Sequence, residues 1–390
     1  MAERPPAKPA QQQGNADDRK SSQSAFSCPV SIDRHERIQL AHGGGGELMH
    51  QLIEGVFAAG FADVGLQQHC DAALIDTALL GVGGAIRTSG GRVGRELSGG
   101  VRLAMATDSY VVDPLVFPGG DIGTLSVNGT VNDLAMMAAR PGVLSVGFIL
   151  EEGLEMATLE RIVTSMRNAA RSAGVAVVTG DTKVVDRGKG DGMYINTTGI
   201  GLVVRDVVLG PDKVEPGDAV IVSGDLGRHG VAILSVREGF RFDSAVQSDC
   251  APVVEPVMRL LDAGVDIHCM RDLTRGGLTS AVVEIARSAG VEIALEEAAI
   301  PVSGEVRAAC ELLGLDPLYM ANEGRFVVLV AESDKDRAVA TLRSHQLGGR
   351  AQCIGTVHDS RDRGLVVLET AIGSHRILDM LSGQQLPRIC

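Results

Sequence analysis

Between residues 101 and 203 the hydrophobic period switches repeatedly between about 2 and about 3.6, and this alternation limits the fold more than any other feature of the chain. VRLAMATDSYVV reads as a strand, and DIGTLSVNGTVNDLAMMAA as a helix stopped by Arg140–Pro141. VLSVGFIL is a strand, MATLERIVTSMRNAARSAG a helix, and VAVVTGDTKVV and YINTTGIGLVV are strands. RDVVLGPDKVEPGD (205–218) has the Pro, Gly and charge mixture of a boundary. Beyond it AVIVSG, VEIALEE, AQCIGTV and GLVVLET read as strands, with one strand or a strand pair in YMANEGRFVVLVA. HGVAILSVRE, VVEPVMRLLDAG, GGLTSAVVEIARSAG, EVRAACELLG and DKDRAVATLRSH read as helices. The expectation is an α+β or α/β chain of two domains, 35–210 and 211–380. A disordered extension (1–34) precedes them, and an aperiodic tail, SGQQLPRIC, occupies 381–390 with Pro387 barring a helix.

Composition removes several function classes. Aromatics are only 3% and tryptophan is absent, so the interior must be aliphatic. A net charge of −13 is the wrong sign for a general binder of nucleic acid or anionic membrane. Seven cysteines without a C-x-x-C pair fit neither a disulfide framework nor a thiolate zinc site. Apolar runs have strand length and the start lacks an apolar leader, so the expected location is cytoplasmic. Residues 81–100, rich in Gly, read as a flexible inserted loop.

Five stretches carry chemistry. His42-Gly43-Gly44-Gly45-Gly46 opens a helix, where backbone N–H groups can converge on an anion. It is no P-loop, since G-x-x-x-x-G-K-[ST] is absent. Asp108, Asp121, Asp133 and Asp181, with Asp76, fall at strand ends or helix starts. Singly each suits a cap, but together they suit Mg²⁺ carrying a phosphate. Lys183 fits a salt-bridge partner, a phosphate clamp or a base. Arg271, Asp272 and Arg275 in MRDLTRGGL form another candidate anion site. Glu323 in Asn322-Glu323-Gly324 fits a turn residue or a general base. The last residue, Cys390, is read as an exposed thiol.

Taken in order, IQLAHGGGGELM, MATDSYVVDPLVFPGGDIG, VNDLAM, FILEEGL, VTSMRNAARSAG, VVTGDTKVV, INTTGIG, VSGDLGRHG, SDCAPV, RDLTRGGL, CELLGLDPL, ANEGRFVV and LPRIC resemble the HypE family of hydrogenase maturation factors. That family belongs to the PurM (aminoimidazole ribonucleotide synthetase-like) superfamily, and the likeness runs from about Ile38 to Cys390. The resemblance implies a PurM-like two-domain fold: an N-terminal sheet domain that makes a homodimer, a C-terminal α/β domain and a flexible C-terminal tail. It implies that a carbamoyltransferase, HypF, loads the Cys390 thiol with a carboxamide. ATP then phosphorylates the carboxamide oxygen, loss of phosphate leaves a thiocyanate, and the cyano group passes to iron on a HypC–HypD complex. By the same resemblance His42–Gly46 would hold nucleotide phosphate. Asp76, Asp108, Asn132, Asp133 and Asp181 would contact ATP, with Mg²⁺ on Asp108, Asp133 and Asp181. Lys183 and Glu323 would be the bases. The chain departs from the family where an Asp-Asp-Ala-type motif is usual: QQHCDAALIDTALL leaves Asp71 and Asp76 both open. Superfamily relatives that phosphorylate a small molecule need no terminal cysteine, and a non-catalytic thiol scaffold needs no Lys183 or Glu323.

Overall fold

Along Met193–Val203 buried and exposed residues alternate with the period of a strand that has one face covered and one open. The computed structural model describes residues 37–58, 60–61, 70–76, 102–205, 207–239, 246–359, 364–381 and 389–390. Within the chain, Gln39–Cys390 forms one compact unit; of Met1–Ile38 only Arg37 and Ile38 are described. The expected disordered extension, the Gly-rich 81–100 loop and most of the tail fall outside the described residues.

The first sheet contains β1 (Ala73–Asp76), β2 (Arg102–Tyr110), β5 (Ala139–Glu151), β6 (Ala176–Val185) and β7 (Met193–Val203). A short hairpin, β3 (Val116–Phe117) and β4 (Gly120–Asp121), stands apart from it. The order is β1-β2-β7-β5-β6, antiparallel throughout except for the parallel β5/β6 pair. Helix α1 (Glu47–Leu52) follows the glycine run, and α2 (Ile122–Met136) and α3 (Met156–Ala173) belong to this half. The Asp121 carboxylate caps α2, accepting from Thr124 N–H at 2.9 Å.

The second sheet is β14-β13-β10-β12-β8-β11-β9, built from β8 (Ala219–Val222), β9 (Ile267–Asp272), β10 (Glu292–Glu296), β11 (Phe326–Val330), β12 (Gln352–His358), β13 (Leu365–Glu369) and β14 (His375–Leu378). Around it lie α4 (Arg228–Arg237), α5 (Val254–Asp262), α6 (Gly277–Ala289), α7 (Gly304–Leu313) and α8 (Lys335–Arg343). β11 is buried at every residue, as a central strand covered on both faces must be.

Helix α2 joins the two halves. Almost all its residues are buried, and no polar stripe remains for water. One side packs on β2, β7 and β5, the other on α5 and β9. Among the described residues, no helix covers the far face of the first sheet. Met105, Ile149, Ile200 and Leu202 stand exposed there, at about two-fifths of their surface. No described helix is long and apolar enough to cross a membrane.

Three expectations need correction. Arg140–Pro141 does not stop α2: the helix ends at Met136, Ala138 turns the chain at φ 54°, and both residues already lie in β5. The missing N–H of Pro141 is tolerated because the β5/β7 register shifts between Pro141 and Val143. In YMANEGRFVVLVA only Phe326–Val330 is a strand; the residues before it are irregular and buried. The end of the tail is not exposed, since Ile389 keeps 3% of its surface and Cys390 is partly buried.

The contact between α2 and α3 is set by a glycine. A Cβ on Gly123 would lie 2.5 Å from the Ile162 carbonyl oxygen, so only glycine lets the backbones approach this closely. Gly123→Ala should gain about 1 kcal/mol of helix propensity but lose more, about 1–3 kcal/mol, to overpacking. A lower denaturant midpoint is expected, and an unchanged or higher one would contradict this account.

Candidate functional site

A cleft of about 800 Å³ opens between the glycine run, the end of β2 and the β9–α6 junction. Four aspartates from four places in the sequence line it, beside Glu54 and Glu284: Asp71 just before β1, Asp108 on β2, Asp133 on α2 and Asp272 at the end of β9. Arg271 holds Asp71 at 2.7 Å and Glu284 at 2.6 Å. Burial raises the carboxyl pKa of Asp71 and Asp108, against the pull of Arg271 and Arg275. Asp133 and Asp272 are pushed up further, by burial and then by neighbouring carboxylates. The Asp272 carboxyl is the neighbouring charge that raises Asp133 most. Asp272 Oδ2 is buried with no partner among the described residues. The cluster is short of positive charge.

The glycine run closes one end. Gly45 sits at φ 72°, and a Cβ there would be 2.7 Å from Cβ of Arg275. Ser280 Oγ donates to the Gly45 carbonyl at 3.1 Å, and Arg275 to that of Gly43 at 3.4 Å. Gly45 and Gly46 line the cleft; His42, Gly43 and Gly44 do not. His42 instead accepts at Nδ1 from Gln39 N–H at 3.0 Å, closing its own turn.

Beyond Asp108 and Arg275, the chain terminus meets the segment Asn322–Arg325 at Glu323. The Cys390 thiol lies beside the Glu323 carboxyl, near enough for each to shift the other's pKa. Burial drives the Glu323 pKa well up, and Asp272, Asp249 and Asp108 add to it. Burial likewise pushes the Cys390 thiol well above its ordinary value, and Glu323 outweighs the opposing Arg275. The docked thiol is therefore neutral, not the nucleophilic thiolate. Glu323 Oε1 and, on α2, Asn128 Oδ1 are buried acceptors without a partner among the described residues. Asn128 Nδ2 points at Cys250 Sγ, 3.5 Å away.

Glu323 is held through its backbone. Its N–H and that of Gly324 donate to the two Asp249 oxygens, each at 3.2 Å. Asn132, one turn beyond Asn128 on α2, donates to the carbonyls of Ala251 (3.1 Å) and Glu323 (3.3 Å) and accepts from Val253 N–H (2.8 Å). Both its N–H donors and one lone pair of its oxygen are committed to backbone and it does not line the cleft, so the expected cofactor contact gives way to a clamp.

Asp181 and Lys183 do not join the cleft. They lie exposed on the edge strand β6, 2.7 Å apart and paired with each other. Asp108 on β2 is three strand steps from β6, roughly 14 Å at about 4.8 Å per step. Pairing also puts Asp181 and Lys183 on the uncovered face, opposite Gly147 and Ile149, while Asp108 pairs with the buried Thr197. Asp108, Asp133 and Asp181 therefore cannot share one Mg²⁺ within a single chain. Asp76 closes β1, whereas Asp71 is the acid in the cleft.

The AIR synthase related protein N-terminal domain matches residues 71–203, and the corresponding C-terminal domain matches 215–367. Carbamoyl dehydratase HypE of Cupriavidus necator is 48% identical over 365 residues, 94% of this chain and 98% of that protein. The chain belongs to the HypE family. A crystal structure of the HypE–HypF complex aligns at TM-score 0.74 and 40% identity, covering 85% of this chain and 99% of that one. A HypE structure in complex with ATP aligns at TM-score 0.72 and 47% identity, covering 91% and 100%. The PurM-like two-domain fold implied by the sequence is that of the HypE structures.

Asn132→Ala should cost about 1–3 kcal/mol by leaving the Val253 N–H and two carbonyls unpaired in buried surroundings. Urea unfolding measures this; unchanged stability would return Asn132 to the list of ligand contacts.

Proposed function

We propose that this HypE-family chain is an ATP-dependent carbamoyl dehydratase whose substrate is a carboxamide carried on its own Cys390. The observation that supports it most directly is the Cys390 thiol lying beside the buried Glu323 carboxyl, within electrostatic reach of Asp108 and Arg275, which line the acid-rich cleft. An S-carboxamide presents an NH₂ group with two hydrogens, and Glu323 Oε1 and Asn128 Oδ1 are two buried acceptors lacking a donor.

The chemistry balances with ATP as co-substrate. The carboxamide oxygen attacks the γ-phosphorus, ADP leaves, and one N–H proton is lost. Cleavage of the C–O bond then releases phosphate while the second N–H proton is removed, leaving S–C≡N. Glu323 is assigned one of these protons, and a base with a raised pKa is a stronger acceptor once ionised. Lys183 is the candidate for the other.

The acid cluster fits a divalent cation: its carboxyls raise one another's pKa, and Asp272 Oδ2 is unpartnered. Among the described residues no three ligating side chains are grouped to hold an ion alone. That matches Mg²⁺, which takes one or two carboxylates plus phosphate oxygens. Asp133 and Asp272 would hold it together with the nucleotide's phosphate oxygens, and the ion would supply charge neutralisation between carboxylates and phosphate. Arg275 and the Gly45–Gly46 backbone would border the nucleotide.

The apolar outer face of the first sheet supports a homodimer, with Asp181 and Lys183 serving the second copy's cleft. HypF as the loading partner, a HypC–HypD complex as the acceptor of cyanide for the NiFe-hydrogenase iron, and a cytoplasmic setting complete the proposal. The HypE–HypF complex of a relative supports the first of these.

Mass spectrometry of the C-terminal peptide tests the reading after incubation with the carbamoyltransferase, carbamoyl phosphate and Mg-ATP. Cys390 should gain a carboxamide and lose one water only with ATP. A thiol loaded but never dehydrated makes the chain a mere carrier. With preloaded protein, dehydration should rise with pH through a value above the ordinary 4.5 of a glutamate, because only ionised Glu323 accepts a proton. Glu323→Gln should abolish that limb and slow the step about 10²–10⁴-fold. Ile200→Asp on the outer face should shift the protein to monomer in sedimentation, and a persisting dimer would place the interface elsewhere.

A further inference from the structure

His229 takes no part in the chemistry above, yet it is the side chain that grips the tail. It lies on the first turn of α4, wholly buried, edge-on to Phe117 with ring centroids 5.3 Å apart. Its Nε2 is 2.7 Å from the carbonyl oxygen of Ile389, and its Nδ1 is 2.8 Å from Ser248 Oγ. A carbonyl can only accept, so Nε2 must carry hydrogen. Burial lowers the imidazole pKa, which keeps the ring neutral and makes Nδ1 the acceptor. The Ser248 hydroxyl must then donate to Nδ1. Its oxygen in turn accepts from Cys250 N–H at 3.1 Å, while Ser248 N–H is anchored to Pro118 O at 2.8 Å. Each donor in the series Cys250 N–H, Ser248 O–H, His229 Nε2–H has one acceptor, ending on the residue before the reactive cysteine.

The Ile389 side chain completes the seat, keeping 3% of its surface within the main apolar cluster. Among the described residues, the His229 hydrogen bond and the buried Ile389 side chain hold the backbone that carries Cys390 toward Glu323. We propose that His229, oriented by Ser248, is a positioning residue that latches the C-terminal tail in the cleft. The latch divides the working cycle: closed, it presents Cys390 to Glu323; open, it releases the thiol for loading and transfer outside. The part of this inference concerning the cycle rests on the proposed dehydratase reading, whereas the latch itself does not.

The test uses the full-length protein and iodoacetamide, with alkylation of each cysteine followed by peptide mass spectrometry. His229→Ala should speed Cys390 alkylation about tenfold, the change one lost hydrogen bond makes in a docking equilibrium. The buried Cys269 and Cys310 should keep their rates, which separates an open latch from general unfolding. His229→Gln, which can still offer an N–H to the carbonyl, should restore most of the protection. A merely structural role predicts no such rescue, so equal rates for the Ala and Gln variants overturn the proposal, as does full protection in His229→Ala. Should His229→Ala fail to fold, Ser248→Ala carries the test: it removes the group holding Nδ1 as acceptor and must speed Cys390 alkylation severalfold, and an unchanged rate sinks the latch. In loaded protein, His229→Ala should lower the dehydration kcat, leave the KM for ATP unchanged and leave loading as fast or faster. Absence of dehydration in the unmodified protein would count against the dehydratase reading alone, since alkylation does not depend on it.

Discussion

The segment Asn322–Arg325 belongs to no helix or strand, and a group of buried charges holds it in place. Arg325 donates to Asp225 through Nη2 (2.9 Å) and to the Asp225 and Gly324 carbonyls. Against the pull of burial, Arg325 and Arg228 hold the Asp225 carboxyl below its ordinary value. Asp249, also buried, accepts the N–H groups of Glu323 and Gly324. Asn322 accepts from Gly227 N–H at 2.7 Å, which ties the same segment to the start of α4. Glu323 and His229 thus share one support: what aims the carboxyl also places the helix that holds the tail. Removing one partner of such a buried group leaves the other uncompensated, which costs far more than an exposed ion pair such as Asp181–Lys183 contributes.

The acids of the cleft obey the opposite logic. Arg271 is committed to Asp71 and Glu284, and Arg275 stands 3.7 Å from Asp108, so little positive charge remains for Asp133 and Asp272. Burial raises both carboxyls first, and the neighbouring carboxylates left unbalanced raise them further. A structural network would be balanced, as Asp225 and Arg325 are; an unbalanced one marks a place for a charged ligand.

Period and punctuation in the sequence carried most of the fold. α3, α5, β8 and β11 read directly from their apolar spacing, because each buries one face or both. β9 was illegible: Ile-His-Cys-Met-Arg-Asp alternates poorly, and its polar residues face the cleft and its partners rather than water. Pro141 misled because a proline after a helix usually ends it, whereas here a register shift absorbs it inside a strand. At the site, Cys390, Glu323, Asp108 and Asp133 were legible as chemistry, and Arg271, Asp272 and Arg275 as a charged turn. Asp181 was legible as an acid but its face of the sheet was not, since that depends on pairing with β5. His229 and Asn128 gave no signal: a lone histidine in an apolar helix and an asparagine in a buried one look like core exceptions until their partners, far away in sequence, are seen.

Helix α2, buried between the two sheets, also decides how such a molecule can work. An enzyme that closes by swinging one lobe toward the other needs a seam along which packing can be broken and remade. Here the seam is occupied by a helix buried on nearly every side, and parting the sheets would bare its apolar residues to water and break the backbone bonds of Asn132. On the proposed reading the two sheets act as a fixed anvil, and the parts that move are what is brought to it: the nucleotide and the chain's own last residues.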